Sequence, residues 1–190
     1  MAVIRQDNFI DSVADALQFI SYYHPLDFVK AVIEAYEREQ NPAARDAMAQ
    51  ILINSRMCAQ GHRPICQDTG IVIVFLKIGM NVQWDADSSV AEMVNEGVRR
   101  AYTHPDNVLR ASILEDPAGA RRNTQDNTPA VIHMEVVKGD TVEVRVAAKG
   151  GGSENKSRLA MLNPSDSIVD WVVKTIPTMG AGWCPLACWV

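Results

Sequence analysis

Residues 71–78 read Ile-Val-Ile-Val-Phe-Leu-Lys-Ile, a run dominated by β-branched side chains. It is too continuously apolar for an exposed strand and predicts a buried one. Its strongly apolar part, Ile71–Leu76, is the longest such run among the 190 residues. A helix crossing a bilayer needs roughly 18 or more, so no membrane span is expected. With 47% hydrophobic and 22% charged residues the chain has ample material for a core, and disorder or low complexity is ruled out.

The residues before this strand carry helical periodicity. Phe9, Ile10, Val13, Leu17 and Ile20 recur at three- and four-residue steps and share one face. Pro25 predicts the start of a second helix with Phe28, Val29, Val32, Ile33 and Tyr36 inward. Asn41-Pro42 supplies a cap and a first-turn proline for a third, with Met48, Ile51, Leu52 and Ser55 on its inner side and Gly61 and Pro64 at its end.

After the strand, Asp87-Ser88-Ser89 predicts a helix over 90–102 with Val90, Met93, Val94, Gly97, Val98 and Ala101 inward. Residues 104–127 carry few apolar and many polar residues, a long connection of the kind that is usually functional or mobile. Residues 130–137 and 141–148, joined by Lys138-Gly139-Asp140, predict a β-hairpin. A last helix is expected after Asn163-Pro164-Ser165, using Ile168, Val169, Trp171, Val172 and Ile176. The expected class is α+β, with N-terminal helices followed by a mixed sheet, its hairpin and packing helices.

The formal net charge of −5 argues against nucleic acid or an anionic membrane as partner. Arg5, Asp7 and Asn8 stand where a signal peptide would be apolar, so the expected location is the cytoplasm. In that reducing compartment Cys58, Cys66, Cys184 and Cys188 are expected as buried thiols or ligands rather than disulfides.

Cys66-Gln67-Asp68-Thr69-Gly70 falls in the turn before the buried strand. Cys66 there suits an iron–sulfur or zinc ligand, or simply a half-buried thiol with Asp68 capping the turn. Lys149-Gly150-Gly151-Gly152-Ser153-Glu154-Asn155-Lys156 can close backbone amides around an anion, or can be a flexible strand exit; it lacks P-loop spacing. Cys184-Pro185 after Gly180 and Gly182 suits a cluster ligand or a free thiol, and Cys58 reads as core. Arg110 can clamp a carboxylate or stay solvated, as can Arg121 and Arg122. His24, His62, His104 and His133 show no metal-site spacing.

Taken together, C-Q-D-T-G at 66–70, D-N-x-L-R at 106–110, N-T-P-A at 127–130, A-K-G-G-G-S-E-N-K at 148–156 and C-P at 184–185 are specific in this order. The chain resembles the N-terminal portion of class I fumarate hydratases, the iron–sulfur type, whose relatives include tartrate dehydratase α subunits. The resemblance implies a hydro-lyase that interconverts (S)-malate and fumarate plus water on a [4Fe–4S] cluster held by three cysteines. Cys66 and Cys184 look like two of those ligands. Gln67, Asp68, Arg110, Gly152, Lys149 and Lys156 look like substrate-binding positions, with Asp68 also catalytic. A small dicarboxylate substrate, and a homodimer or pairing with a C-terminal catalytic domain or subunit, are implied as partners. The resemblance covers residues 1–185 as one domain, and 186–190 look unrelated to it. The third ligand, the base and the C-terminal domain have no counterpart in the chain. A non-catalytic fragment, or a subunit of a tartrate or mesaconate dehydratase, is the alternative.

Overall fold

The computed structural model describes residues 2–150 and 158–179. In chain order these form β1 (Val3–Arg5), α1 (Gln6–Tyr22), α2 (Leu26–Arg38), α3 (Pro42–Gly61), β2 (Ile71–Gly79), β3 (Gln83–Asp85), α4 (Val90–Tyr102), β4 (Leu114–Glu115), β5 (Arg122–Asn123), β6 (Val131–Val137), β7 (Val142–Lys149) and α5 (Ile168–Thr175), which runs into a 3-10 turn at Ile176–Met179. The class is α+β. Helix ends follow local chemistry. The Asn41 side chain accepts from the Ala43 and Ala44 N–H groups at the start of α3, and Ser89 and Glu92 form a reciprocal capping box on α4.

Strand β2 is the centre of the main sheet, whose order is β6-β2-β7. It pairs parallel with β6 (Ile73 opposite Val131) and antiparallel with β7 (Ile71 opposite Lys149, Ile78 opposite Val142). The expected hairpin is therefore corrected. Both arms are strands, but they flank β2 instead of pairing with each other, and their connection passes over its end. Gly79 makes that crossing possible, since a Cβ there would lie 2.5 Å from the Gly139 carbonyl oxygen. Backbone bonds from Gly79, Met80 and Asn81 to the oxygens of Thr141, Val137 and Gly139 seal it.

One face of the sheet is covered by α1 and α4. Phe9, Ile10, Val13 and Leu17 meet Val72, Val74 and Leu76 from β2, and Met93, Val94, Val98 and Ala101 from α4. Burial of each larger side chain contributes about 1.5–3 kcal/mol. The other face is open: Phe75 is 47% exposed and stacks on His133 at 5.0 Å. Thus β2 is half-buried, because no second layer among the described residues covers the outward set. Two other expectations change. Of the inward set on α2 only Val32 is buried, and Ile33 is exposed. Helix α5 forms where expected, yet none of its apolar residues is buried. No helix among the described residues is long and apolar enough to cross a membrane.

Two predictions follow from this packing. A Cβ on Gly97 would lie 2.7 Å from the Val13 Cβ, where α4 crosses α1. Gly97→Ala is expected to destabilise the domain by about 1–2 kcal/mol in urea unfolding, despite alanine's better helix propensity. The His24 imidazole, bonded through Nδ1 to Ser55 Oγ at 2.9 Å, has its pKa lowered below 6.5 by burial. Its contribution is present above the unfolded-chain value and lost as pH falls through the depressed folded value. The unfolding midpoint should fall below neutrality in the native chain, and this part of the pH dependence should vanish in His24→Gln.

Candidate functional site

The loop 66–70 enters β2 at the same end where β7 leaves the sheet, because Ile71 stands opposite Lys149. The first part of the glycine run therefore faces the C-Q-D-T-G loop. The approach is close. A Cβ on Gly150 would lie 2.8 Å from an Asp68 carboxylate oxygen, and one on Gly70, which has φ +83°, would lie 2.7 Å from the Lys149 carbonyl carbon. Gly70 needs glycine for space and for backbone conformation alike, whereas at Gly150 only the far end of the Asp68 side chain would have to move.

Each end of the loop is anchored. At its start the Ile65 N–H donates to the Ser21 oxygen at 2.8 Å, and Asn54 Nδ2 donates to the Ile65 carbonyl at 3.1 Å, tying the segment to α1 and α3. At its finish Tyr102 Oη donates to the Thr69 carbonyl at 2.7 Å, and Asn127 Nδ2 donates to the Gly70 carbonyl at 3.0 Å. Burial pushes the Tyr102 phenol well above its ordinary pKa, so it remains a donor. Between the anchors the Asp68 N–H points at Cys66 Sγ (3.4 Å), and that sulfur also contacts Gln67 Oε1 at 3.3 Å.

Arg110 reaches the same place from the polar connection. The Thr69 hydroxyl donates to the Arg110 carbonyl oxygen, while the Arg110 side chain is exposed. Asn107, buried just before it, donates to Gln18 Oε1 at 2.8 Å, and Gln18 Nε2 returns bonds to the oxygens of Ala101 and Asn107. Lys149 bends its Nζ onto the Gly150 carbonyl at 2.7 Å. A cavity of about 510 Å³ opens beside the loop, with Cys66, Asp68 and Thr69 on its rim and His24, Leu109 and Ala147 among its walls.

Of the positions expected from sequence, Cys66, Gln67, Asp68, Arg110 and Lys149 are thus brought to one end of the sheet. Gly152, Lys156 and Cys184, together with Cys188, lie outside the described residues. Cys58 is core, its thiol raised by burial and bonded to Asn54 Oδ1. Arg121 and Arg122 lie on the exposed β4–β5 ribbon region, where Arg122 meets Glu115 at 3.7 Å. Sequence reasoning passed over Tyr102 as a loop anchor. It placed Asn107 in the D-N-x-L-R motif and Asn127 in the N-T-P-A motif, but gave neither a role. Their burial, 3% and 0% exposed, is the distinguishing property, and a polar residue's burial is a tertiary fact.

The sequence profile described as fumarate hydratase (fumerase) matches residues 10–188. The chain belongs to this family. It is 32% identical over 181 residues to a putative L(+)-tartrate dehydratase subunit alpha of Methanocaldococcus jannaschii, covering 92% of this chain and 63% of that one. It is 33% identical over 162 residues to the anaerobic class I fumarate hydratase of Escherichia coli K12, covering 83% of this chain but 28% of the relative. An L(+)-tartrate dehydratase subunit alpha of Escherichia coli O157:H7 is 27% identical over 180 residues, 91% of this chain and 57% of the relative. The family is one of hydro-lyases, and the chain spans less than two thirds of these relatives.

The two glycines respond differently to substitution. Gly70→Ala puts a Cβ against backbone at positive φ, and should cost more than about 2 kcal/mol in denaturant unfolding. Gly150→Ala meets only the movable Asp68 side chain. Its unfolding midpoint should stay within about 1 kcal/mol of native, while the Asp68 carboxylate is displaced.

Proposed function

We propose that this chain forms the N-terminal part of a hydro-lyase site that adds water to, or removes it from, a small dicarboxylate of the malate–fumarate type. What supports the reading is the strand register, which brings the Cys66–Asp68 loop and the start of the glycine run together. The Thr69 bond to the Arg110 carbonyl holds the Arg110 backbone at the same end. A dianion is favoured by a guanidinium and by unobstructed backbone amides, and Arg110 with the run from Lys149 through Gly152 to Lys156 offers both. Gln67 adds a neutral amide. Asp68 is assigned to the hydroxyl group of the substrate, since its carboxylate can accept a hydrogen bond from that hydroxyl and can take up or return a proton there.

The family resemblance adds a [4Fe–4S] cluster. Among the described residues no three His, Cys, Asp or Glu side chains gather as a metal site. The donor set nonetheless suits one corner of a cluster: Cys66 is partly exposed at a loop end, and a backbone N–H points at its sulfur. Cys66 would hold the cluster with Cys184 and one further thiolate. When bound, the cluster supplies a Lewis acid for the departing or arriving hydroxyl. Such chemistry belongs in a reducing cytoplasm.

The chain aligns over 92% of its length with a relative named a subunit alpha, which favours assembly with another polypeptide over action alone. That reading keeps tartrate as the alternative substrate. A chain keeping the fold without a cluster is the remaining one.

In the assembled enzyme, anaerobic reconstitution with iron and sulfide is expected to give about four irons per copy of this chain and an absorbance shoulder at about 400 nm. Cys66→Ala should take up no cluster. Metal-free native protein, or undiminished iron in Cys66→Ala, would refute the assignment. In the assembled enzyme Arg110→Lys should raise KM for the dicarboxylate about tenfold, with a smaller change in kcat.

A further inference from the structure

Asn127 is fully buried, with φ +62° in the left-handed region. Asparagine tolerates that conformation better than most residues. Its single amide serves two loops. Oδ1 accepts from the Ser112 N–H at 2.7 Å, two residues beyond Arg110, and Nδ2 donates to the Gly70 carbonyl at 3.0 Å, two residues beyond Asp68. Tyr102 holds the neighbouring Thr69 carbonyl at 2.7 Å, and the Thr69 hydroxyl bonds the Arg110 carbonyl. The preceding residue is pinned as well, since Asp126 Oδ2 accepts from Arg99 Nε at 3.0 Å and Asp126 Oδ1 accepts from the Thr128 N–H.

These bonds do more than satisfy buried polar atoms. Ser112 and Gly70 lie on separate loops, and the described residues place no strand pairing between those loops. One planar amide, with a donor on one side and an acceptor on the other, bridges them beside the Thr69 bond to the Arg110 carbonyl. We propose that Asn127, backed by Tyr102, is the positioning residue that holds the loop of Arg110 at a fixed distance from the loop of Cys66 and Asp68. The guanidinium and the Asp68 carboxylate then meet one substrate without a further ordering cost. Asn127 itself touches no substrate. The proposal rests on reading Cys66, Asp68 and Arg110 as one site, but its test requires neither cluster nor turnover.

The test measures the separation directly. In the full chain with Cys58, Cys184 and Cys188 changed to serine, nitroxides are placed on Cys66 and, through Arg110→Cys, at position 110. Their distance distribution is read from dipolar broadening in frozen solution. Three further changes are compared on this background. Asn127→Gly accepts the backbone conformation and removes the amide. Asn127→Asp keeps the shape and the acceptor but loses the donor. Tyr102→Phe removes one hydroxyl. Peptide-resolved hydrogen exchange is recorded on the same Asn127 and Tyr102 changes in the unlabelled chain.

Both Asn127 variants are expected to at least double the width of the distribution and to speed exchange in both 66–70 and 110–112 tenfold or more. Exchange in β6 should stay as in the native chain. Tyr102→Phe should broaden the distribution less and speed exchange only in 66–70. An unchanged width in the Asn127 variants would overturn the proposal, as would acceleration spread equally into β6. If neither Asn127 variant folds, Tyr102→Phe decides: an unbroadened distribution with native exchange in 66–70 rejects the clamp. Loss of cluster uptake with an intact clamp would instead count against the proposed function alone.

Discussion

The antiparallel register of β2 against β7 is the constraint from which the site follows. Opposing Ile71 to Lys149 sets the chain entering one strand beside the chain leaving the other. A one-residue slip would turn Val72, Val74 and Leu76 from the core to the open face, so their burial specifies the register strongly. The same hydrophobic alternation that builds the core thereby decides that Asp68 faces Gly150. The glycine at position 70 then lets the two backbones approach to a distance no side chain would permit.

The loop so placed is held from two directions that belong to different parts of the domain. Ser21 on α1 and Asn54 on α3 fix Ile65, whereas Tyr102 on α4 and Asn127 in the polar connection fix Thr69 and Gly70. Cys66, Gln67 and Asp68 lie between these anchors, so a short segment rich in polar groups is presented without its own secondary structure. Loops of this kind are functional when a rigid scaffold positions them, and here the scaffold is the α1–α4 layer on the sheet. The apolar cavity alongside, with His24 and Leu109 in its wall, continues the same junction into the core.

Much of this was legible before any coordinates. The start of α4 was written in Asp87-Ser88-Ser89, and the start of α3 in Asn41-Pro42, because caps act over three or four residues. The motif residues Cys66, Asp68 and Arg110 were recognisable by their chemistry and order. Three things were not legible. The arms around Lys138-Gly139-Asp140 carry an ordinary hairpin signal, and the sequence does not record that β2 inserts between them. The continuous apolar run of β2 suggests two covered faces, yet Phe75 on the outward face stays exposed. Asn127 opens the N-T-P-A motif, yet nothing in the sequence says that it is the most completely buried of the asparagines described.

By itself the sequence determined the types of the longer elements, the family and the residues able to bind an anion or a soft metal centre, but not the short strands β1, β3, β4 and β5. These depend on side-chain chemistry, local periodicity and short-range capping, all of which are complete within a few residues. Only the tertiary structure decided which strand lies between which. It also decided that residues some 80 positions apart, Asp68 and Gly150, share one junction, and that a single buried amide spans two loops. Pairing register and burial are properties of the whole packed chain, because each depends on which distant surfaces exclude water together.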